Sequence, residues 1–456
     1  MYGLKTDVFC SAGLVLPDRV GRQLNIGGWA NAATYGIRFY WPDGSPGQPS
    51  YNGWQENYQE VSLQVGRWYP TAMTMANGSI LVVGGEEGSN GEGIPSLEII
   101  PFTGTAPLFQ QWLEDTHPNN LYPFLAVLPS GGILVIYYNL ARILDPVTFE
   151  TITILPNLPG AVNNPAAGRN YPLEGTMVLM PQHAPYTEPL TVMVCGGSAD
   201  FSGDGLDNCI SIQPDNPGNW TIERMPSKRV MTCITALPDG TYLINNGAHL
   251  GTAGFGLAQS PNLNAVLYDP SQPINSRMSI MANTSVARLY HSESNLMPDG
   301  RVIVSGSDPE DNTHPEEFRV EVFTPPYLLQ GNTQPTFTIT NKDWTYGGSY
   351  TVNVQLFQGT TATVRFSLLG AVVSTHGNSM GQRTLFPAFT CSGNVCTITA
   401  PPGPNIAPPG WYQLFTLDGP TPSHSHFVRI GGDPASLGNW PDFPDFSLPG
   451  VGPVTS

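Results

Sequence analysis

Short apolar runs, each answered by a second run across a turn, recur through the first 330 residues of this chain. The turns fall at Leu16-Pro17-Asp18, Ala76-Asn77-Gly78, Pro129-Ser130-Gly131, Met180-Pro181-Gln182, Pro238-Asp239-Gly240 and Pro298-Asp299-Gly300. Each unit closes on a pair of residues: Gly27-Gly28, Gly84-Gly85, Tyr137-Tyr138, Gly196-Gly197, Asn246-Gly247 and Ser305-Gly306. Successive pairs are 57, 53, 59, 50 and 59 residues apart, close to the kelch period of about 50. Asp-Gly between alternating apolar residues is a strong hairpin signal, so each unit predicts a small antiparallel sheet. Outer strands are expected at Ile37–Tyr40, Leu97–Ile100, Ala141–Leu144, Ala265–Tyr268 and Val320–Phe323. Radial repetition of such sheets makes a β-propeller, here with six visible units over residues 1–330.

The pattern changes after Thr324-Pro325-Pro326. Strand-like runs follow at Thr336–Ile339, Tyr350–Val354, Ala362–Leu368, Leu385–Phe389, Val395–Ile398, Tyr412–Thr416 and His426–Ile430. Seven short strands in about 100 residues predict an immunoglobulin-like β-sandwich over 331–432. Residues 433–456 are rich in Pro and Gly and read as an exposed tail. The fold class is therefore all-β, propeller then sandwich.

Composition narrows the function. Only 12% of residues are charged, with 50 Gly and 45 Pro, which suits many short strands joined by turns. The net charge of −17 argues against nucleic acid, which needs a basic footprint, and against an anionic membrane surface. No apolar stretch is long enough to span a bilayer, and Met1–Val8 holds no secretory leader. Glycosylation acceptors at Asn77, Asn219 and Asn283 support an extracellular location. Among six cysteines, Cys391 and Cys396 bracket a short loop and Cys195 and Cys209 a longer one, so both pairs are expected as disulfides. Cys10 and Cys233 remain, and Cys233 lies in an apolar run where burial accounts for it.

The chemistry concentrates at Ala287-Arg288-Leu289-Tyr290-His291-Ser292. Imidazole is a good ligand for copper, iron, nickel or zinc, although a lone Tyr-His pair is usually core packing. Gly66-Arg67-Trp68-Tyr69-Pro70 repeats the Arg-x-Tyr pattern, and Tyr69 and Tyr290 stand 15 and 16 residues before Gly84 and Gly306. Two tyrosines at one repeat position suggest a shared central site. Inner strands of a propeller run along its axis, so their first residues meet at one mouth of the channel, and Cys10 lies in nearly the same register. Tyr290 and His291 can share a ligand only where the strand is irregular or just beginning.

The stretches Asp7-Val8-Phe9-Cys10, Arg67-Trp68-Tyr69-Pro70, Arg288-Leu289-Tyr290-His291 and Ser374-Thr375-His376 resemble the signatures of the copper radical oxidases, nearest to fungal glyoxal oxidase. The resemblance covers essentially the whole chain. It implies a Cys10–Tyr69 thioether that carries a tyrosyl radical, with Tyr69, His291 and His376 as equatorial copper ligands and Tyr290 axial. It also gives Cys10 a role outside any disulfide. Two imidazoles, phenolate oxygens and an open position suit tetragonal Cu(II), and a thioether lowers the potential of a phenol. The resemblance implies a secreted enzyme that oxidises small aldehydes, or primary alcohols, with dioxygen reduced to hydrogen peroxide. We expect a monomer. Family members carry a leader and a further stretch of propeller ahead of the Asp-Val-Phe-Cys strand, usually completing a seventh blade. Where galactose oxidase stacks a tryptophan over the thioether and glyoxal oxidase has a histidine, this chain has Glu86-Glu87, and alignment favours Glu87.

Other motifs are weaker. His424-Ser425-His426 is expected to be a solvated pair, and Asp200, Asp204 and Asp207 lack the spacing of a calcium loop. A reading from another class is a glycan-binding kelch propeller with Trp29, Tyr35, Trp41 and Trp54 lining a sugar surface.

Overall fold

Six antiparallel sheets follow one another from Ala12 to Phe323, five of four strands and the last of three. The computed structural model describes residues 4–41, 53–56, 61–162, 164–201 and 203–439, and counts here refer to those. The inner strands are Ala12–Val15, Thr71–Thr74, Phe124–Val127, Gly175–Leu179, Cys233–Ala236 and Glu293–Leu296. Burial falls from the axis outwards. Ile80–Val83 and Ile133–Tyr137, second in their sheets, are buried throughout, whereas Ile152 and Ile154 on the outer strand Thr151–Ile154 are exposed. Strands covered on both faces read as continuous apolar runs rather than alternations, which is the run pattern of the sequence. Each fully buried Leu, Ile or Val contributes about 1.5–3 kcal/mol relative to exposure, and facing sheets share these residues: Phe124 and Ala126 of the third pack with Met177 and Leu179 of the fourth.

A buried arginine recurs at the entry to the inner strand. Nη1 of Arg67, Arg169, Arg229 and Arg288 donates to the carbonyls of Gly84, Gly196, Asn246 and Gly306 at 2.6–2.8 Å. The arginine of the Arg-x-Tyr pattern is thus a structural pin between the loop entering a sheet and the closing pair of the same sheet. Glu98 holds Arg67 at 3.0 Å, with both side chains buried.

The second domain is a sandwich. One sheet pairs Thr336–Ile339, Ser349–Gln355, Val395–Thr399 and Phe389–Ser392; the other is built on Arg365–Gly370, Gly410–Asp418 and His426–Ile430. Ser349–Gln355 alternates strictly between exposed and buried positions, with Tyr350, Val352 and Val354 facing Phe366 and Leu414 in the core. The domains are tied by strand pairing, since Gln182–His183 of the propeller runs parallel to Leu385–Phe386.

Three features differ from the sequence reading. A hairpin, Val373–Thr375 with Asn378–Met380, leaves the sandwich and packs against the inner strands of the first, second, fourth and sixth sheets. The sequence suggested only a strand and turn here. Gly13 permits the approach, because a Cβ there would lie 2.5 Å from Val373 Cγ1. Second, the run read as Leu385–Phe389 is two strands, Thr384–Phe386 and Phe389–Ser392, one in each sheet. Third, the start of the expected tail is docked: Leu437 is buried, and its carbonyl accepts from Arg22 Nη2 at 2.9 Å. Residues 440–456 lie outside the described residues. Both expected disulfides, Cys195–Cys209 and Cys391–Cys396, are present, and Cys233 is free and buried.

Candidate metal centre

Cys10, Tyr69, Tyr122, Met231 and His291 each precede an inner strand by two residues, and all five have positive φ, between 49° and 63°. That left-handed conformation is uncommon outside glycine. It turns the last loop residue towards the axis before the strand begins. The sixth sheet has one residue more: Arg288 is five residues ahead of its strand, whereas Arg67 and Arg229 are four ahead of theirs. Counted from the arginine, Tyr69 corresponds to Tyr290; counted from the strand, it corresponds to His291. The shared repeat position read for the two tyrosines therefore holds only from the arginine side. The extra residue lets adjacent side chains face one site, and the Tyr290 and His291 rings stack with centroids 3.8 Å apart.

The hairpin delivers His376. His376 and Gly377 form its two-residue turn, both with positive φ, 51° and 68°, as a type I′ turn requires. Cys10, His291 and His376 gather with ligand atoms all within 4.8 Å, the only such His/Cys/Asp/Glu group among the described residues. Cys10 Sγ lies 3.9 Å from His291 Nε2 and 3.7 Å from His376 Nε2. The hydroxyls of Tyr69, Tyr171 and Tyr290 form a triangle with sides of 3.1–3.2 Å. The backbone brings Cys10 beside Tyr69, whose N–H donates to the Cys10 carbonyl at 3.2 Å.

The surroundings suit a cation. Burial pushes the phenols of Tyr69 and Tyr290 and the thiol of Cys10 well above their ordinary values, and pushes Tyr171 up to about 12. Burial also lowers both histidines, His376 most, so their imidazoles are neutral with free lone pairs. Thr375 Oγ1 lies 2.7 Å from His376 Nδ1, and Asp308 Oδ2 lies 3.7 Å from His291 Nδ1. The Thr375 contact occupies Nδ1 of His376 and leaves its Nε2 for a metal, the usual outer-shell arrangement, while Asp308 stands near Nδ1 of His291. A divalent ion here would reverse the upward shift of the phenols. Imidazole, phenol and sulfur together favour a transition metal such as copper over magnesium or calcium.

Residues 1–327 match the glyoxal oxidase N-terminus family. The chain belongs to the glyoxal oxidase family of copper radical oxidases. Residues 334–430 match the galactose oxidase-like, Early set domain. A WSC domain-containing protein of Arthroderma benhamiae is 65% identical over 449 residues, covering 98% of this chain and 48% of its own length. This chain thus spans about half of that relative. An aldehyde oxidase, GLOX, of Vitis pseudoreticulata is 33% identical over 93% of this chain and 82% of its own. A solved fungal alcohol oxidase of the AA5 family, in complex with copper, has the same fold, with a TM-score of 0.74 at 20% identity over 93% of this chain and 86% of that one.

In this chain the Tyr69 ring packs with Trp68, at 4.2 Å, and with Tyr171, at 4.4 Å and an interplanar angle of 21°. Glu87, the residue expected over the thioether, is exposed in the loop 87–92, where its N–H donates to the Glu92 carbonyl. Its neighbour Glu86 faces inwards, because its backbone pairs with Trp68. Glu86 lines a pocket of about 400 Å³ above Tyr69 and Tyr290, with Oε2 3.4 Å from His117 Nε2. Burial raises Glu86 to about 7 and lowers His117. Phe9, Phe201 and Phe255 form an apolar wall of the same pocket.

The sequence reading missed Tyr171 and Tyr122, the latter stacked on His376 at 4.8 Å. A signal was present: Tyr69-Pro70, Tyr122-Pro123 and Tyr171-Pro172 repeat one dipeptide ahead of successive sheets. The competing motifs take other parts. Asp204 pairs with Lys228 and Asp207 with Arg224, and His426 packs edge-on against Phe337. Of the aromatics considered for sugar binding, Trp29 packs on Trp68, Trp54 on Tyr40, and Trp41 is buried. Tyr35 is 42% exposed.

Proposed function

We propose that this protein is a secreted copper radical oxidase converting small aldehydes, as their hydrates, to carboxylic acids while dioxygen becomes hydrogen peroxide. One observation carries the reading: Cys10, His291, His376 and the Tyr69–Tyr290 hydroxyl pair converge at one mouth of the propeller. Tyr69, Tyr290, His291 and His376 would hold copper, and Cys10 would be bonded to the Tyr69 ring. Bound copper would supply one-electron redox chemistry. Tyr290 would receive the proton of the substrate hydroxyl, and Tyr69 as a radical would abstract the carbon-bound hydrogen. Phe9 and Phe255, packed against His291 at 5.2 and 5.5 Å, would shield the imidazole from bulk water. Two disulfides and exposed Asn77, Asn219 and Asn283 support the extracellular setting.

Oxidation of primary alcohols to aldehydes is the second reading, favoured by the apolar wall, which suits a substrate with a hydrocarbon body. Copper analysis of the purified protein, followed by a peroxide-coupled assay across aldehydes and primary alcohols, tests both. We expect one copper per chain and peroxide release chiefly from aldehydes. Turnover of alcohols alone would select the second reading. A copper-free protein that cannot be loaded and binds glycans would overturn both.

A further inference from the structure

The His376 turn rests on a carboxylate from the neighbouring element. Glu293 opens the inner strand Glu293–Leu296, two residues after His291. Its Oε2 accepts from Ser374 Oγ at 2.7 Å and its Oε1 from the Gly377 N–H at 2.9 Å. These two groups lie on either side of His376. The turn benefits from such support, because His376 has positive φ, a conformation uncommon outside glycine. On its other side, Thr176 Oγ1 donates to the Gly377 carbonyl at 2.6 Å. Gly377 is wedged there: a Cβ would lie 2.7 Å from the Thr232 carbonyl oxygen and 2.8 Å from that of Gly175.

We propose that Glu293 is a positioning residue that fixes the His376 imidazole relative to His291 by clamping the hairpin turn to the strand that begins two residues after His291. One side chain thereby sets the relation between two rings from different domains, whose centroids are 5.1 Å apart at an interplanar angle of 86°. Thr375 orients the ring about its own bonds; Glu293 sets where the turn stands. The proposal rests on the copper reading of the site for its consequence, but the clamp itself is a property of the metal-free protein.

The test compares wild type with Glu293→Gln and Glu293→Leu. Copper affinity of the metal-free proteins is measured by titration, the Cu(II) forms by electron paramagnetic resonance, and the amide of Gly377 by hydrogen exchange without metal. Glu293→Leu should weaken copper binding by about 10–100-fold, the usual range for a lost outer-shell partner. It should also alter the copper hyperfine pattern and speed exchange at Gly377. Glu293→Gln should recover most of each, since its amide oxygen can accept from Gly377 and its NH₂ can donate to Ser374. Wild-type affinity, spectrum and exchange in Glu293→Leu would overturn the proposal, as would a Gln variant no better than Leu. If Glu293→Leu does not fold, Ser374→Ala removes one of the two bonds, and unchanged affinity and exchange there would overturn it equally. If wild type binds no copper, the functional reading fails, and Gly377 exchange alone then decides whether the clamp exists.

Discussion

Tyr69 and His291 occupy the same place in their sheets, two residues ahead of the inner strand, with φ of 58° and 63°. A phenol and an imidazole thus stand at equivalent points of a radial repeat. Tyr290 joins them through the one extra residue behind Arg288, and His376 joins them from the other domain.

The first prediction concerns Cys10 and Tyr69, whose backbones are bonded at 3.2 Å. Copper-loaded protein exposed to oxygen should yield the two peptides joined, resistant to reduction, and lighter by the thiol hydrogen and one ring hydrogen. Cys10→Ser should yield them separate. Separate peptides from fully active enzyme would remove the thioether from the assignment.

Replacing His376 by Ala should leave both domains folded, since the residue sits in a turn and its neighbours hold the hairpin. Copper affinity should fall by more than the ~10–100-fold typical of an outer-shell loss, and peroxide production should fall with it. Near-normal copper and turnover in a folded His376→Ala protein would refute a centre shared between domains.

Glu86 gives a pH dependence. Its carboxyl, raised by burial to about 7, is neutral below that value and ionised above it, in a pocket with no Lys or Arg among its described lining residues. KM for an anionic aldehyde such as glyoxylate should therefore rise as pH passes through about 7, while KM for neutral methylglyoxal should stay flat. Glu86→Gln should abolish the difference between the substrates. The folded state holds this proton more tightly than the unfolded chain, so the stability the group contributes falls as pH rises from 4.5 towards about 7. Thermal unfolding of wild type against Glu86→Gln across that range checks the sign.

Arg67→Ala should cost about 3–5 kcal/mol, because it leaves Glu98 as an unpaired buried charge and removes the arginine donor from the carbonyl of Gly84 and one of the two donors from that of Ser96. Arg319→Ala, at a pair whose arginine is exposed, should leave the unfolding midpoint unchanged. Equal midpoints for the two variants would refute the role of the arginine as a pin.

Much of this was legible in the sequence because it depends on local pattern. Hairpin turns, apolar runs and the repeat period express the burial of individual strands, and a period near 50 residues admits few architectures. Cys195 and Cys209 face each other across paired strands, and Cys391 and Cys396 across a hairpin, so short loops sufficed to pair them. The arginines, tyrosines and histidines of the centre stood in motifs that could be read one by one.

Other features depended on distances the sequence does not encode. Whether Glu86 or Glu87 faces the pocket turns on one backbone bridge to Trp68, since neighbouring residues on extended chain point opposite ways. Tyr171 enters the hydroxyl triangle from four residues ahead of its strand, off the register that placed Tyr69. The hairpin that brings His376 to the axis is held by Glu293, Thr176 and the bareness of Gly13 and Gly377. The sequence by itself determined the repeating sheets, the order of the domains and the kinds of side chain that meet at the centre, because each follows from local burial and turn chemistry. Only the tertiary structure decided which of those side chains touch, because that rests on single-residue offsets and contacts between segments hundreds of residues apart.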